Sequence, residues 1–345
     1  MSAPAVSVVM AAYNGAAFIG ETIASVLAQT MPDFEIVVMD DGSSDDTVEL
    51  LARIRDPRLR LFRAERNGGP AVARTLALAH ARGRFIAGLD QDDLCHPERF
   101  ARQLAFLYRH PEAALVASTI EMMEDGPVRP DPWPHLADPN AIDWTLHLLN
   151  PLAWSSVMMR GEAARALDPF ERDERRYAED FDLYHRIRAH GRIGRITEPL
   201  VRYRVHPGGA SQVSEERMIA AAGAVLAERY APHLGEEQAV RLGLLLSRHA
   251  GASHPPADVT ILSDCGAAIE AALALFGRLA PREAKRIAAC VWWRIARSGL
   301  RAGRYGVEPM LRARPSFAPF DRALLPAFAR DAAIGGARRV MRRSA

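Results

Sequence analysis

The sequence predicts an α/β fold, a mainly parallel sheet with helices on both faces, followed by an all-helical C-terminal region. Three observations carry that expectation. Through the first quarter of the chain, β-branched apolar runs alternate with segments of helical apolar spacing. Polar or acidic residues close several of those runs. After about residue 214 strand patterns stop, and Ala-, Leu- and Arg-rich helical patterns continue to Arg343.

Each element follows from its own residues. Val6 to Tyr13 is an apolar strand run ending at the turn-forming pair Asn14-Gly15. Ile19, Ile23, Val26 and Leu27 then recur at helical spacing. "FEIVVMDDGSSDDT" is a strand with an acidic end and a turn, leading into a helix that starts near Asp45 or Asp46. "RLRLFRAERNGGP" gives a third strand and a Gly-Pro break. "AVARTLALAHARG" is a helix stopped by Gly83, and "RFIAGLD" a fourth strand. A helix over Pro97 to His110 precedes the strand "AALVASTIEMM" and a long irregular loop, Glu124 to Asn140. "WSSVMMRGEAARAL" resumes with a strand and a helix, and "YAEDFDLYHRIRAHG" is a helix closed by Gly191. A late strand runs into His206-Pro-Gly-Gly. The expected division is therefore 1–214, α/β, and 215–345, helical.

Composition narrows the class. With 345 residues, 49% hydrophobic and 25% charged, the chain can bury a sizeable core. No apolar run of ~18 residues stands out as a membrane span, and the N-terminus lacks a signal-peptide pattern, so the cytoplasm is the expected compartment. Cys95, Cys265 and Cys290 are scattered and predict neither a zinc site nor a disulfide framework. The net charge of +2 singles out no partner, and the sole lysine, Lys285, reflects genomic composition rather than chemistry.

In open α/β sheets ligands bind beyond the carboxyl ends of the strands, and that is where Asn14, Asp40-Asp41 and Asp90-Asp92-Asp93 fall. Each cluster has two readings. Asp90 and Asp92 can share a divalent cation, or Asp92 or Asp93 can cap the helix before Pro97. Asp40 and Asp41 can accept from a nucleoside or serve a turn. Glu179, Asp180 and Asp182 can offer a general base or simply begin a helix. A lone His206 can be structural, or belong to a mobile phosphate-contacting loop. Neither G-x-G-x-x-G nor a P-loop pattern follows the first strand, which lowers the dinucleotide and P-loop readings.

Taken together, "SVVMAAYNGAAFIGETIASVLAQT", "FEIVVMDDGSSDDT", "RNGGPAVARTLALAHARGRFIAGLDQDD" and "YAEDFDLYHRI" resemble, in order and spacing, family 2 glycosyltransferases of GT-A fold over about residues 4–212. The resemblance implies an inverting transferase that moves a sugar, a UDP-hexose by prior, from a nucleotide diphosphate to a saccharide or lipid-linked hydroxyl. It implies a divalent cofactor, Mn²⁺ or Mg²⁺, and no nucleic-acid partner. By the same resemblance Ala11 to Tyr13 pack around the nucleotide and Asp40 accepts from the base. Arg66, Asn67 and Gly68 form a nucleotide-side loop, and Arg74 lies near the diphosphate. Asp90 and Asp92 are similar to the D-x-D metal pair, Asp92 ligating most directly. Gln91 departs from the commoner small residue and could touch the sugar. Asp180 matches the catalytic base, and His206 a histidine that joins the metal or diphosphate. Two other classes stay open, a nucleotidyltransferase and a non-catalytic nucleotide-sugar module. Trp133 and Trp154 could stack on a sugar. The stripe Ile287, Val291, Trp292, Ile295 among arginines reads as bundle packing or as a peripheral membrane surface.

Overall fold

The computed structural model describes residues 3–124, 128–130, 136–209, 214–277 and 281–343. The chain divides into two compact units, one of Met1–Ile142 with Pro151–Glu215, the other of Asp143–Asn150 with Glu216–Ala345.

The first unit is built on a nine-stranded sheet among the described residues. Its strands are β1 (Val6–Ala12), β2 (Phe34–Asp40), β3 (Leu59–Arg63), β4 (Phe85–Gly88), β5 (Leu94–Cys95), β6 (Ala113–Met123), β7 (Arg129–Pro130), β8 (Val157–Arg160) and β9 (Arg192–Arg204). The order is β3-β2-β1-β4-β8-β6-β9-β5, with β7 on β6. β3, β2, β1 and β4 pair in parallel, as the alternation predicts. Helices α1 (Ile19–Leu27), α2 (Thr47–Arg53) and α3 (Pro70–His80) make those crossovers. Central β1 and β2 are apolar on both faces because both are covered. Beyond β4 the sheet is mixed. β8 is antiparallel to β4 and to β6, while β6 and β9 run parallel. β8 is entered from a 3₁₀ turn, Trp154–Ser156. Helices α4 (Arg99–Arg109), α5 (Pro139–Thr145), α6 (Gly161–Arg165) and α7 (Glu179–Ile187) complete this part of the chain.

The second unit holds α8 (Glu215–Leu234), α9 (Glu236–His249), α10 (Val259–Phe276), α11 (Pro281–Arg301), α12 (Val307–Arg312) and α13 (Leu325–Arg343). Asp258 caps α10, its carboxylate accepting from the Thr260 and Ile261 amides at 2.8 and 3.0 Å. One sequence expectation is corrected here, and of two readings left open one is favoured. α10 is by length and composition long and apolar enough to cross a membrane, at mean hydropathy 1.7 despite Asp264 and Glu270; a third of it is buried in the unit. The stripe Ile287, Val291, Trp292, Ile295 is fully buried, so it is packing and offers no membrane surface. Trp133 lies outside the described residues.

Candidate active site

Parallel register brings the carboxyl ends of three strands to one edge: Ala12 of β1 is level with Asp40 of β2, and Val9 of β1 with Gly88 of β4. The loops leaving that edge are tied to one another. Asn14, in the left-handed region at φ 48°, accepts from the Ser44 amide at 2.9 Å and donates its own amide to Ser43 Oγ at 3.0 Å. Asp45 accepts from the Ala16 amide at 3.1 Å and also holds Thr47, so it organises the turn into α2. Asp41, buried, accepts from the Gly68 and Gly69 amides at 2.8 and 2.7 Å. That fixes the 66–69 loop, with Arg66 and Asn67 exposed on it. Gly69, at φ 87°, then hands the chain to Pro70 at the start of α3. Asp40 is fully buried. Its carboxylate accepts from the Ser43 amide at 3.2 Å and faces Arg63 Nε at 3.3 Å, so a base would have to reach it past that arginine.

Gln91 is committed to the backbone of Tyr13: Oε1 accepts from the Tyr13 amide at 2.9 Å and Nε2 donates to the Tyr13 carbonyl at 3.0 Å. Both ends of its amide are thereby used in joining the β4 end to the β1 end, which runs against a sugar contact. Tyr13 itself stays 46% exposed.

The acidic loop lies against β9. Asp92 Oδ2 is 2.9 Å from His206 Nε2. The Arg204 amide donates to Asp93 at 2.8 Å, and Arg204 Nε to the Asp92 carbonyl at 2.8 Å. Phe18 lines the same place, its ring 4.6 Å from the imidazole of His206 and 4.7 Å from the Arg204 guanidinium. The capping reading of Asp92 and Asp93 is thereby replaced. Strand β5, paired with β9, separates both from α4, whose N-cap Glu98 makes no side-chain cap. Burial raises the Asp92 carboxyl above the usual carboxylate range, Asp90 adds to the rise, and His206 opposes it. Burial pushes Asp93 well up, with Asp92 and Asp90 adding to it.

Arg74 departs from its expected place at a diphosphate. It is only 7% exposed and is surrounded by protein acids. Nη2 donates to Asp90 at 2.6 Å, and Nη1 reaches Glu171 at 3.3 Å and Glu179 at 3.4 Å. Its guanidinium lies 4.7 Å over the Trp154 ring. That buried face also bears on the idea that Trp154 stacks on a sugar, since its indole is already covered. Burial drives the Glu171 carboxyl well above its usual range, against the pull of Arg74. The Asp90 amide donates to Ser155 Oγ at 3.0 Å.

Asp180 is the second residue of α7, half-buried, and accepts from the Phe181 amide at 2.7 Å. Glu179 before it is the acid tied to Arg74. Asp182 turns to Arg172 and Arg186 and is structural. The structure thus gathers Tyr13, Gln91, Arg74, Asp90, Asp92 and His206, with Asp180 one residue from the Arg74 cluster; Ala11 is half-buried on β1. Asp41 serves the loop rather than a nucleoside, and Ser155, Glu171 and Arg204 build the site without belonging to any sequence motif. Only Arg204 carried a signal, as a basic residue two before His206.

Among the described residues no three His, Cys, Asp or Glu side chains enclose a metal. The donors that do converge are the Asp92 carboxylate and the His206 imidazole, with Asp90 near. That set suits Mn²⁺ or Mg²⁺ whose shell is finished by phosphate oxygens and water. Burial first, and then the neighbouring Asp90, disfavour the ionised Asp92 carboxylate, and a cation there would offset both.

The glycosyl transferase family 2 model matches residues 7–166. EpsE of Bacillus subtilis (strain 168), provisionally named a glycosyltransferase, is 31% identical over 191 residues, covering 54% of this chain and 67% of its own. The succinoglycan biosynthesis protein ExoO of Rhizobium meliloti (strain 1021) is 48% identical over 101 residues, 29% of each chain. WfaP of Escherichia coli, a UDP-Glc:α-D-GlcNAc-diphosphoundecaprenol β-1,3-glucosyltransferase, is 39% identical over 102 residues, 30% of this chain and 41% of its own. The match thus spans well under two thirds of ExoO and of WfaP. Among solved structures, S. aureus TarS 1-349 in complex with UDP has a TM-score of 0.55 at 20% identity, covering 87% of this chain and 92% of TarS. The mannosyltransferase PcManGT of Pyrobaculum calidifontis, with GDP-Man and Mn²⁺, has a TM-score of 0.53 at 20% identity, covering 87% and 88%. At such identity these two speak for the fold, a mixed sheet of GT-A type. The chain is a GT-A glycosyltransferase and belongs to glycosyltransferase family 2.

Proposed function

We propose that the protein is an inverting, metal-dependent transferase that moves a sugar from a nucleotide diphosphate to an acceptor hydroxyl in surface polysaccharide or glycoconjugate synthesis. The observation that carries this reading is the meeting, at one sheet edge, of the Asp92–His206 pair with Asp90, which Arg74 ties to the first turn of α7. The WfaP name favours a UDP-hexose donor and a lipid-linked saccharide acceptor, and the ExoO name a role in polysaccharide synthesis.

In this reading Tyr13 flanks the nucleotide, on a backbone that Gln91 holds still. Asp40 becomes available to the base once Arg63 gives way, and the 66–69 loop lies on the nucleotide side. When bound, a divalent cation supplies positive charge for the leaving diphosphate, and Asp92, His206 and Asp90 would hold it. Asp180 takes the proton from the acceptor hydroxyl as its oxygen attacks the anomeric carbon and the bond to the diphosphate breaks. A single displacement of that kind inverts the centre.

Donor hydrolysis and transfer assays with Mn²⁺ and a panel of nucleotide sugars test this. The Asp180→Asn variant should keep its melting temperature and donor affinity yet lose about 10²-fold or more in turnover, the range usual for a general base. Turnover within threefold of the wild type would remove Asp180 from that role. The same reading places the protein at the cytoplasmic face of a membrane. Its surface there would be α13, where Leu325, Val340 and Met341 are exposed among arginines.

A further inference from the structure

We infer that Arg74 is a positioning residue that locks Asp90 to the start of α7, so that one rigid guanidinium sets the frame of both motifs. The inference rests on the reading of Asp90 and Asp180 given above, but its physical content is independent of any bound ion. The three acids around Arg74 come from three separate segments: Asp90 after β4, Glu171 in the loop following α6, and Glu179 opening α7. Arg74 itself stands on α3, so four parts of the chain converge on a single planar group.

The geometry makes the coupling mechanical. A guanidinium presents its donors in a fixed planar fork. Here Nη2 is used by Asp90 and Nη1 by the two glutamates, while the Trp154 ring lies against the face. Asp90 therefore cannot swing without tilting the plane against Trp154 and straining the bonds to Glu171 and Glu179. Arg74 Nε, Trp154 Nε1, Glu179 Oε2 and Tyr184 Oη are buried and meet no hydrogen-bond partner among the described residues.

A lysine at this place keeps the charge but not the fork, so it can serve Asp90 or the glutamates and not both. Arg74→Lys is thus the decisive variant, and it avoids burying three acids around no cation. Two readouts separate the inference from the functional reading. Hydrogen–deuterium exchange needs no metal. In Arg74→Lys the amides of residues 89–93 and of the first turn of α7 should both exchange about tenfold faster, with β1 and β2 unchanged. Mn²⁺ binding with UDP present, read by electron paramagnetic resonance, should weaken about tenfold, whereas UDP binding without metal stays within twofold. Unchanged exchange, or faster exchange in only one of the two segments, overturns the coupling. An equal loss of metal-free UDP binding overturns it as well, since Arg74 would then be meeting the nucleotide itself. Should the wild type take up no Mn²⁺, the metal reading of Asp90 falls, and the exchange data alone judge the coupling.

Discussion

Gly15 shows how much of this site hangs on single atoms. A Cβ there would lie 2.2 Å from Gln91 Oε1, the same oxygen that accepts from the Tyr13 amide. The glycine is thus needed for close approach and not for its own backbone angle, unlike Asn14 next to it. Gly15→Ala should displace the Gln91 amide and cost about 1–3 kcal/mol, the range for overpacking. Gln91→Ala removes the obstruction along with the clamp. In urea unfolding, the double variant should be clearly less destabilised than the sum of the two singles. Additive costs would mean that the two residues do not meet. The clamp also explains why the middle position of "DQD" tolerates a long side chain: its amide is folded back onto the strand end.

At the scale of elements, Glu35 joins β1, β2 and the end of α3. Its carboxylate accepts from Ser7 Oγ at 2.6 Å, from Arg82 Nε at 2.9 Å, and from Arg60 at 2.8 Å. Burial by itself would raise this carboxyl. The Arg82 and Ser7 hydrogen bonds, then the Arg82 amide and Arg60, outweigh burial and bring it from 4.5 to about 2. A depressed folded-state value means stability that is present above about pH 4.5 and is lost as pH falls toward 2. Glu35→Gln should therefore be less stable than the wild type by roughly 2–3 kcal/mol at pH 7. The gap should close by about pH 2 in denaturant titrations, and a gap independent of pH would sink the assignment. Helix α13 yields a different expectation. Its one acid, Asp331, is buried against Arg297 at 2.8 Å, while Val340 and Met341 are 65% and 63% exposed. If it meets anionic lipid, the full chain should float with phosphatidylglycerol vesicles, and Leu325→Glu with Met341→Glu should abolish flotation. Equal flotation of that variant would take α13 out of the contact.

These elements also mark how far the sequence could be read. Strands β1 to β4 were legible because apolar runs and helical spacing alternate there, and the acids at their ends follow from the topology. β5 and β7, two residues each, carry no pattern, and nothing local in β8 declares its direction. The family motifs single out Asp92, His206 and Asp180, of which the structure pairs the first two. They did not show that Arg74 is enclosed by acids, because Glu171 and Glu179 lie about a hundred residues further along the chain. The α11 stripe was readable as amphipathic, yet periodicity says only that one face is apolar. What covers that face is a tertiary fact.

For the whole molecule, the two units divide after Glu215, beside the boundary placed near residue 214, with one segment crossing it. Residues 143–150 belong with the helical unit. There Tyr230 donates its hydroxyl to the His147 carbonyl at 2.9 Å, and the rings of His147 and Phe276 stack at 3.9 Å. Trp144, Leu146 and Leu148 are buried. A chain ending at Glu215 keeps this segment and loses its partners. It should bind the dye ANS and melt below the full chain in scanning calorimetry, even though the sheet is complete. A truncated chain that melts with the full one and binds no dye would show that the segment packs adequately without α8 and α10.

The same threading bears on how the protein is made. Chain synthesis delivers segment 143–150 long before α8 and α10 emerge, while every strand of the sheet is available by Arg204. Domains generally fold as units during synthesis, the N-terminal one first. Here the strands are complete while that stretch still waits for the helices it packs with. The nascent chain therefore passes through a stage with Trp144 and its leucines uncovered, a binding site for chaperones that the finished molecule no longer presents.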